Sequence, residues 1–75
     1  MNLLDVMQRL YKSEINFSIS TFWDAGYTVR LGDDMNGFVA DDGPYYYAFD
    51  EIAGALDRMA RKHYPDSDYA KEAMP

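Results

Sequence analysis

Hydrophobic and polar positions follow different periods in different parts of this chain, and the changes of period mark its elements. Over residues 3–12, Leu3, Met7 and Leu10 form one stripe with Leu4 and Tyr11 flanking it, while Asp5, Arg9 and Lys12 fall on the other side. That spacing predicts an amphipathic helix, with Asn2 as its N-cap. From Ile15 to Trp23 the period becomes two: Ile15, Phe17, Ile19, Thr21 and Trp23 alternate with Asn16, Ser18, Ser20 and Phe22. A strand with one buried and one wet face is expected there. Asp24-Ala25-Gly26 supplies a turn with a glycine suited to positive φ, and Tyr27, Val29 and Leu31 then alternate with Thr28 and Arg30, which predicts a hairpin.

Gly32 to Gly37 is a loop by composition, closed by Asn36-Gly37, and Phe38-Val39-Ala40 resumes an extended run. After the break at Asp41-Asp42-Gly43-Pro44, the aromatic run Tyr45-Tyr46-Tyr47-Ala48-Phe49 reads either as the return half of a second hairpin or as the third strand continued after a bulge. Asp50 is a good N-cap for a helix over residues 51–63. Ile52, Ala53, Leu56, Met59, Ala60 and His63 there repeat at three and four, and Pro65 ends the helix. Residues 66–75 read as a frayed tail or a short helical turn. The order is helix, three or four antiparallel strands, helix: an α+β fold with both helices packed on one face of the sheet. The expected core is Leu3, Leu4, Met7, Leu10, Phe17, Ile19, Trp23, Val29, Leu31, Ile52, Leu56 and Met59.

Length confines this to one domain over residues 1–75, since 75 residues leave no room for a second core. With no cysteine, neither a disulfide framework nor a thiolate zinc site is available. No stretch approaches the ~18 apolar residues of a membrane span. Met1 to Asp5 has no basic lead and meets an acid at once, so a signal peptide is not expected and a cytoplasmic setting is.

Charge changes the picture more. Of 13 acids, seven lie between Asp24 and Glu51 (Asp24, Asp33, Asp34, Asp41, Asp42, Asp50 and Glu51), against Arg30 as the one base. The whole formal charge of −6 therefore falls in this segment, and the rest of the chain is balanced. Each aspartate alone is explained by turn and capping chemistry. The scarcity of lysine between them is not, and it predicts a concentrated negative field at the strand ends. Tyr27, Tyr45, Tyr46 and Tyr47 share the segment. Alternation sends Tyr45 and Tyr47 one way and Tyr46 the other, so at least one ring faces solvent. Gly54, on the polar face of the second helix with Arg58 and Arg61, costs ~1 kcal/mol there relative to alanine, and close approach of another backbone would explain it.

Catalytic signatures are missing. Asp34-x-Asn36-Gly37 resembles the middle of a calcium loop, but Gly32 and Gly43 occupy the positions of its first and last ligands. His63 stands alone at a helix end. No serine lies in a nucleophile elbow, and the pairs Asp33-Asp34 and Asp41-Asp42 sit on turns where carboxylates stay solvated. No enzyme, metal or cofactor is expected. The helix–strands–helix order invites comparison with double-stranded RNA-binding domains. Those use basic residues where this chain has Asp50-Glu51; Arg58, Arg61 and Lys62 arrive only at the far end of the helix.

In its small size, lack of cysteine, acidic turns and exposed tyrosines, the chain resembles the small phage-encoded inhibitors of the anti-CRISPR type. That resemblance implies a non-enzymatic inhibitor whose acidic surface blocks a basic nucleic-acid-binding site of a bacterial protein complex. It would act without touching nucleic acid or membrane itself, through Asp24, Asp33, Asp34, Asp41, Asp42, Tyr45, Tyr46 and Tyr47. The alternative is a small housekeeping interaction module, or a homodimer paired through a strand edge or a tyrosine face.

Overall fold

The computed structural model describes residues 2–32, 38–39 and 45–71. They form an α+β fold in which a helix, an antiparallel hairpin and two further helices follow in order. Helix α1 (Leu3–Lys12) begins as the sequence predicts, the Asn2 Oδ1 accepting the Leu4 N–H at 2.8 Å. Its buried stripe runs through Val6 and Leu10, with Leu3 packed beside them. Leu4, expected in the core, is 72% exposed, and Met7, also expected there, is only half-buried and lies outside the core, its place taken by Val6. At about 100° per residue, Leu4 lies a quarter-turn off the Leu3–Leu10 line, while Val6 lies about 60° to the other side, on the flank that is buried.

The exit from α1 is a Schellman motif: Glu14 N–H donates to the Tyr11 C=O at 3.1 Å and Ile15 N–H to the Leu10 C=O at 3.0 Å. Glu14 occupies the left-handed position at φ 60°, where glycine is usual. The reversal carries Ile15 into the core beside Leu10. Strand β1 is therefore shorter than the expected residues 15–23 and spans Phe17–Phe22.

Strand β2 (Gly26–Leu31) pairs antiparallel with β1 in a register that sets Phe17 opposite Leu31, Ile19 opposite Val29 and Thr21 opposite Tyr27. Gly26 adopts φ +106°, and a Cβ there would lie 2.8 Å from the Tyr46 carbonyl oxygen and 2.9 Å from the Tyr47 ring. The turn thus needs glycine for both conformation and space. Trp23, expected in the core, is 96% exposed, because the chain leaves the strand for the turn and the alternation no longer governs its side chain. On the far edge of β2, Arg30 and Leu31 pair with a two-residue β3 (Phe38–Val39), and Tyr46 forms an isolated bridge to Tyr27.

Helix α2 (Phe49–His63) starts two residues earlier than predicted. Ala48 is its N-cap without a side-chain bond, so Asp50 sits inside the first turn, its Oδ1 3.0 Å from the Glu51 N–H. Its carboxylate still opposes the positive end of the helix. Ile52, Ala53, Ala55, Leu56, Met59 and Ala60 are buried, and α2 packs on both α1 and β2. Small alanines on three sides of Leu56 let those neighbours approach closely. Among the described residues, a Cβ at Gly54 would meet only the Arg58 Nη1, at 3.3 Å, and no other backbone approaches there. The C-terminal segment folds as a short helix α3 (Asp68–Lys71) that places Tyr69 at 0% exposure in the core.

Candidate functional site

The predicted site residues separate into three groups. Asp24 is exposed on the β1–β2 turn. Asp33, Asp34, Asp41 and Asp42 lie outside the described residues, as does the Asp34-x-Asn36-Gly37 segment. The three tyrosines alternate: Tyr45 and Tyr47 are 41% and 73% exposed, and Tyr46 is 6% exposed. Tyr46 and Tyr27 exchange both backbone hydrogen bonds at 2.8 Å, which adds Tyr46 to the sheet and turns its side chain into the core. Tyr46, expected on the contact surface beside Tyr45 and Tyr47, is thereby removed from it.

Around Phe49 an apolar surface extends that the sequence pattern did not indicate. The Tyr47 ring lies against Gly26; the adjacent Tyr27 meets Phe49 edge to face, with ring centroids 5.8 Å apart. Phe49, 61% exposed, lines a shallow groove of about 480 Å³ with Leu3, the exposed Leu4, Asn2 and Asp50. Leu4, Phe49 and Tyr27 are thus joined across α1, α2 and β2, while Tyr47 is exposed on the opposite face of the sheet beside Gly26. Asp5, Asp24, Asp50 and Glu51, all exposed, belong to the same elements and turns. An exposed apolar surface rimmed by charge of one sign is characteristic of a protein interaction site. Local periodicity had marked Leu4 as core and Phe49 as strand, so only their joint exposure reveals the surface.

A second constellation lies at the opposite ends of the helices. Tyr69 donates its phenolic hydrogen to the Asp57 Oδ1 at 2.7 Å, and Arg61 holds the same carboxylate through Nε at 3.2 and 3.3 Å. Arg9 stacks its guanidinium 4.3 Å above the Tyr69 ring and donates from Nη2 to the Tyr69 C=O at 3.1 Å. The Arg61 guanidinium lies 5.6 Å from the same ring, and its Nη1 bonds the Ala70 C=O at 3.4 Å. Burial above all, then the hydrogen bond to Asp57 and its charge, hold the Tyr69 phenol far above its ordinary pKa of 10.0, while the two arginines pull it down less strongly. The phenol is kept neutral and serves as a donor. Its role is attachment, because the cluster ties α3 to α1 and α2. Arg61, expected to act as a cation at the helix end, works mainly through this cluster.

Among the described residues, no group of three or more His, Cys, Asp or Glu side chains is placed to hold a metal ion, and no helix is long and apolar enough to cross a membrane. Fold and surface together define a small α+β protein with an exposed aromatic end. Compared with known proteins, the chain matches no protein-family model, no curated protein and no solved structure.

Proposed function

We propose that the chain is a non-enzymatic protein-binding inhibitor of the anti-CRISPR kind. Its acidic, aromatic end occupies a basic nucleic-acid-binding surface of a bacterial protein complex and displaces the nucleic acid. The observation that carries this reading is the exposure of Leu4, Tyr47 and Phe49, at 72%, 73% and 61%, together with the exposed acids Asp5, Asp24, Asp50 and Glu51. Aromatic rings provide anchors that bury ~150–250 Å² each, and the acids provide steering toward lysine and arginine side chains that otherwise hold phosphates. In the same reading the sheet has three or four strands in all, with both helices on one face.

The test is competition between the purified chain and labelled duplex DNA for a CRISPR surveillance complex, titrated with salt. Displacement should weaken as the Debye length falls from ~10 Å near ~0.1 M to ~3 Å near ~1 M. Failure to displace DNA at low salt argues against the inhibitor. Displacement that is independent of salt argues against the acidic mechanism.

A further inference from the structure

β1 is an edge strand. The sheet order is β1-β2-β3, and among the described residues nothing pairs with the outer side of β1. The Gly32 N–H donates to the Asn16 C=O at 2.6 Å, which makes Asn16 and Gly32 a hydrogen-bonded pair. By the alternation of antiparallel ladders, residues 18, 20 and 22 also point their backbone groups toward β2, and Phe17, Ile19 and Thr21 point theirs outward. Soluble proteins blunt such an edge with lysine, proline or a bulge. Phe17–Phe22 has none of these: its six residues are Phe, Ser, Ile, Ser, Thr and Phe, uncharged and paired without interruption. The inward face of β1 is also only partly covered. Phe17 and Ile19 are half-buried, whereas Val29 and Leu31 opposite them are 2% and 0% exposed.

The two ends of this edge are complementary. At one end stands Trp23, 96% exposed. At the other is a groove of about 490 Å³ lined by Tyr11, Lys12, Glu14, Ile15 and Asn16. A two-fold axis through Ile19, perpendicular to the sheet, sets Ile19 against Ile19 of a second copy and Phe17 against Thr21. All three outward residues then exchange both hydrogen bonds, and the half-covered apolar faces become one strip. Beyond the ends of the paired strands, the same antiparallel direction brings the turn that carries Trp23 toward the Tyr11–Asn16 groove of the second copy, twice by symmetry. No charged side chain of either β1 lies between, so repulsion from the net charge of −6 per chain acts at the ends of the edge, where Asp24 approaches Lys12 and Glu14, and salt should strengthen pairing.

We infer that the chain forms a two-fold dimer by antiparallel β1–β1 pairing, with Trp23 of each copy seated in the Tyr11–Asn16 groove of the other. Area supports a second copy as the occupant. A stable interface buries ~800 Å² per partner, and a large aromatic supplies ~150–250 Å², so Trp23, 96% exposed, adds a substantial share to the strand itself. A lone extended peptide offers no counterpart to the groove and Trp23 together.

Sedimentation of the full chain, with the emission of its single tryptophan followed in parallel, tests this. A dimer is expected, with Trp23 emission moving to shorter wavelength as concentration rises. In this register Ser18 faces Ser20 of the second copy. Ser18→Glu with Ser20→Glu therefore sets like charges together and should give monomer, whereas Ser18→Glu with Ser20→Lys should restore the dimer. Trp23→Ala, at a position the monomer leaves in solvent, should weaken association roughly thousandfold, about thirtyfold for each of the two copies as for a typical hot-spot aromatic. A wild-type chain that stays monomeric at about 100 µM overturns the inference and leaves the edge to a heterologous strand. A dimer indifferent to the double-glutamate variant, or one not restored by the Glu/Lys variant, overturns it equally.

Discussion

Replacing Tyr69 by phenylalanine removes one oxygen from a fully buried ring and nothing else, so it isolates the bond from the phenol to Asp57. The ring keeps its place between Arg9 and the core, and volume is conserved. A hydrogen bond to a charged acceptor contributes about 1.5–3 kcal/mol. Asp57 is not orphaned by the change, since Arg61 still holds both of its oxygens at 3.2 and 3.3 Å. The lower end of the range therefore applies, about 1.5 kcal/mol. For a domain of this size that corresponds to a midpoint lowered by roughly 6–12 °C in thermal unfolding followed by far-UV circular dichroism. Tyr69→Ala should lose about 3–5 kcal/mol through loss of the ring, a large part of the roughly 4–11 kcal/mol expected of 75 residues.

The pH dependence has a definite sign. Folding raises the phenol pKa above the unfolded value of 10.0, so the neutral donor's contribution is complete below that pH and is lost as pH rises toward the folded value. The stability gap between wild type and Tyr69→Phe should be constant near neutrality and should close above pH ~10. Wild-type stability for Tyr69→Phe at neutral pH, or a gap that widens in alkali, would falsify the account of this bond. A harmless Tyr69→Ala would show that α3 does not dock at all.

Further outcomes are expected elsewhere. Leu56→Ala, at 0% exposure where α2 meets its neighbours, should lose about 2–5 kcal/mol in urea unfolding, and an unchanged midpoint would contradict the packing of α2. Tyr47→Ala should leave the melting temperature close to wild type because the ring is 73% exposed, yet weaken inhibition by ≥2 kcal/mol, on the order of a hot-spot aromatic, in the DNA-competition assay. Replacing Asp33, Asp34, Asp41 and Asp42 together by asparagine should preserve the fold, since asparagine keeps turn chemistry, while abolishing DNA displacement. A quadruple variant that still displaces DNA at wild-type concentration removes the electrostatic mechanism.

By itself the sequence determined the elements whose signals are local. The helical stripe through Leu3 and Leu10, the N-cap at Asn2, the alternation from Phe17 through Leu31 and the turn glycine at Gly26 are all present in the structure. Each depends on residues within one or two turns of one another. The same alternation separated Tyr46 from Tyr45 and Tyr47 but did not say which side was wet; pairing with Tyr27, nineteen positions away, decided that. Trp23 and Leu4 fit a hydrophobic pattern and are exposed, because the end of a strand and the flank of a helix are buried only when another element covers them. Tyr69 was legible least of all. A four-residue helix has no period to read, and the ring is buried only because Arg9, Asp57 and Arg61, polar positions on two other helices, converge on it in three dimensions.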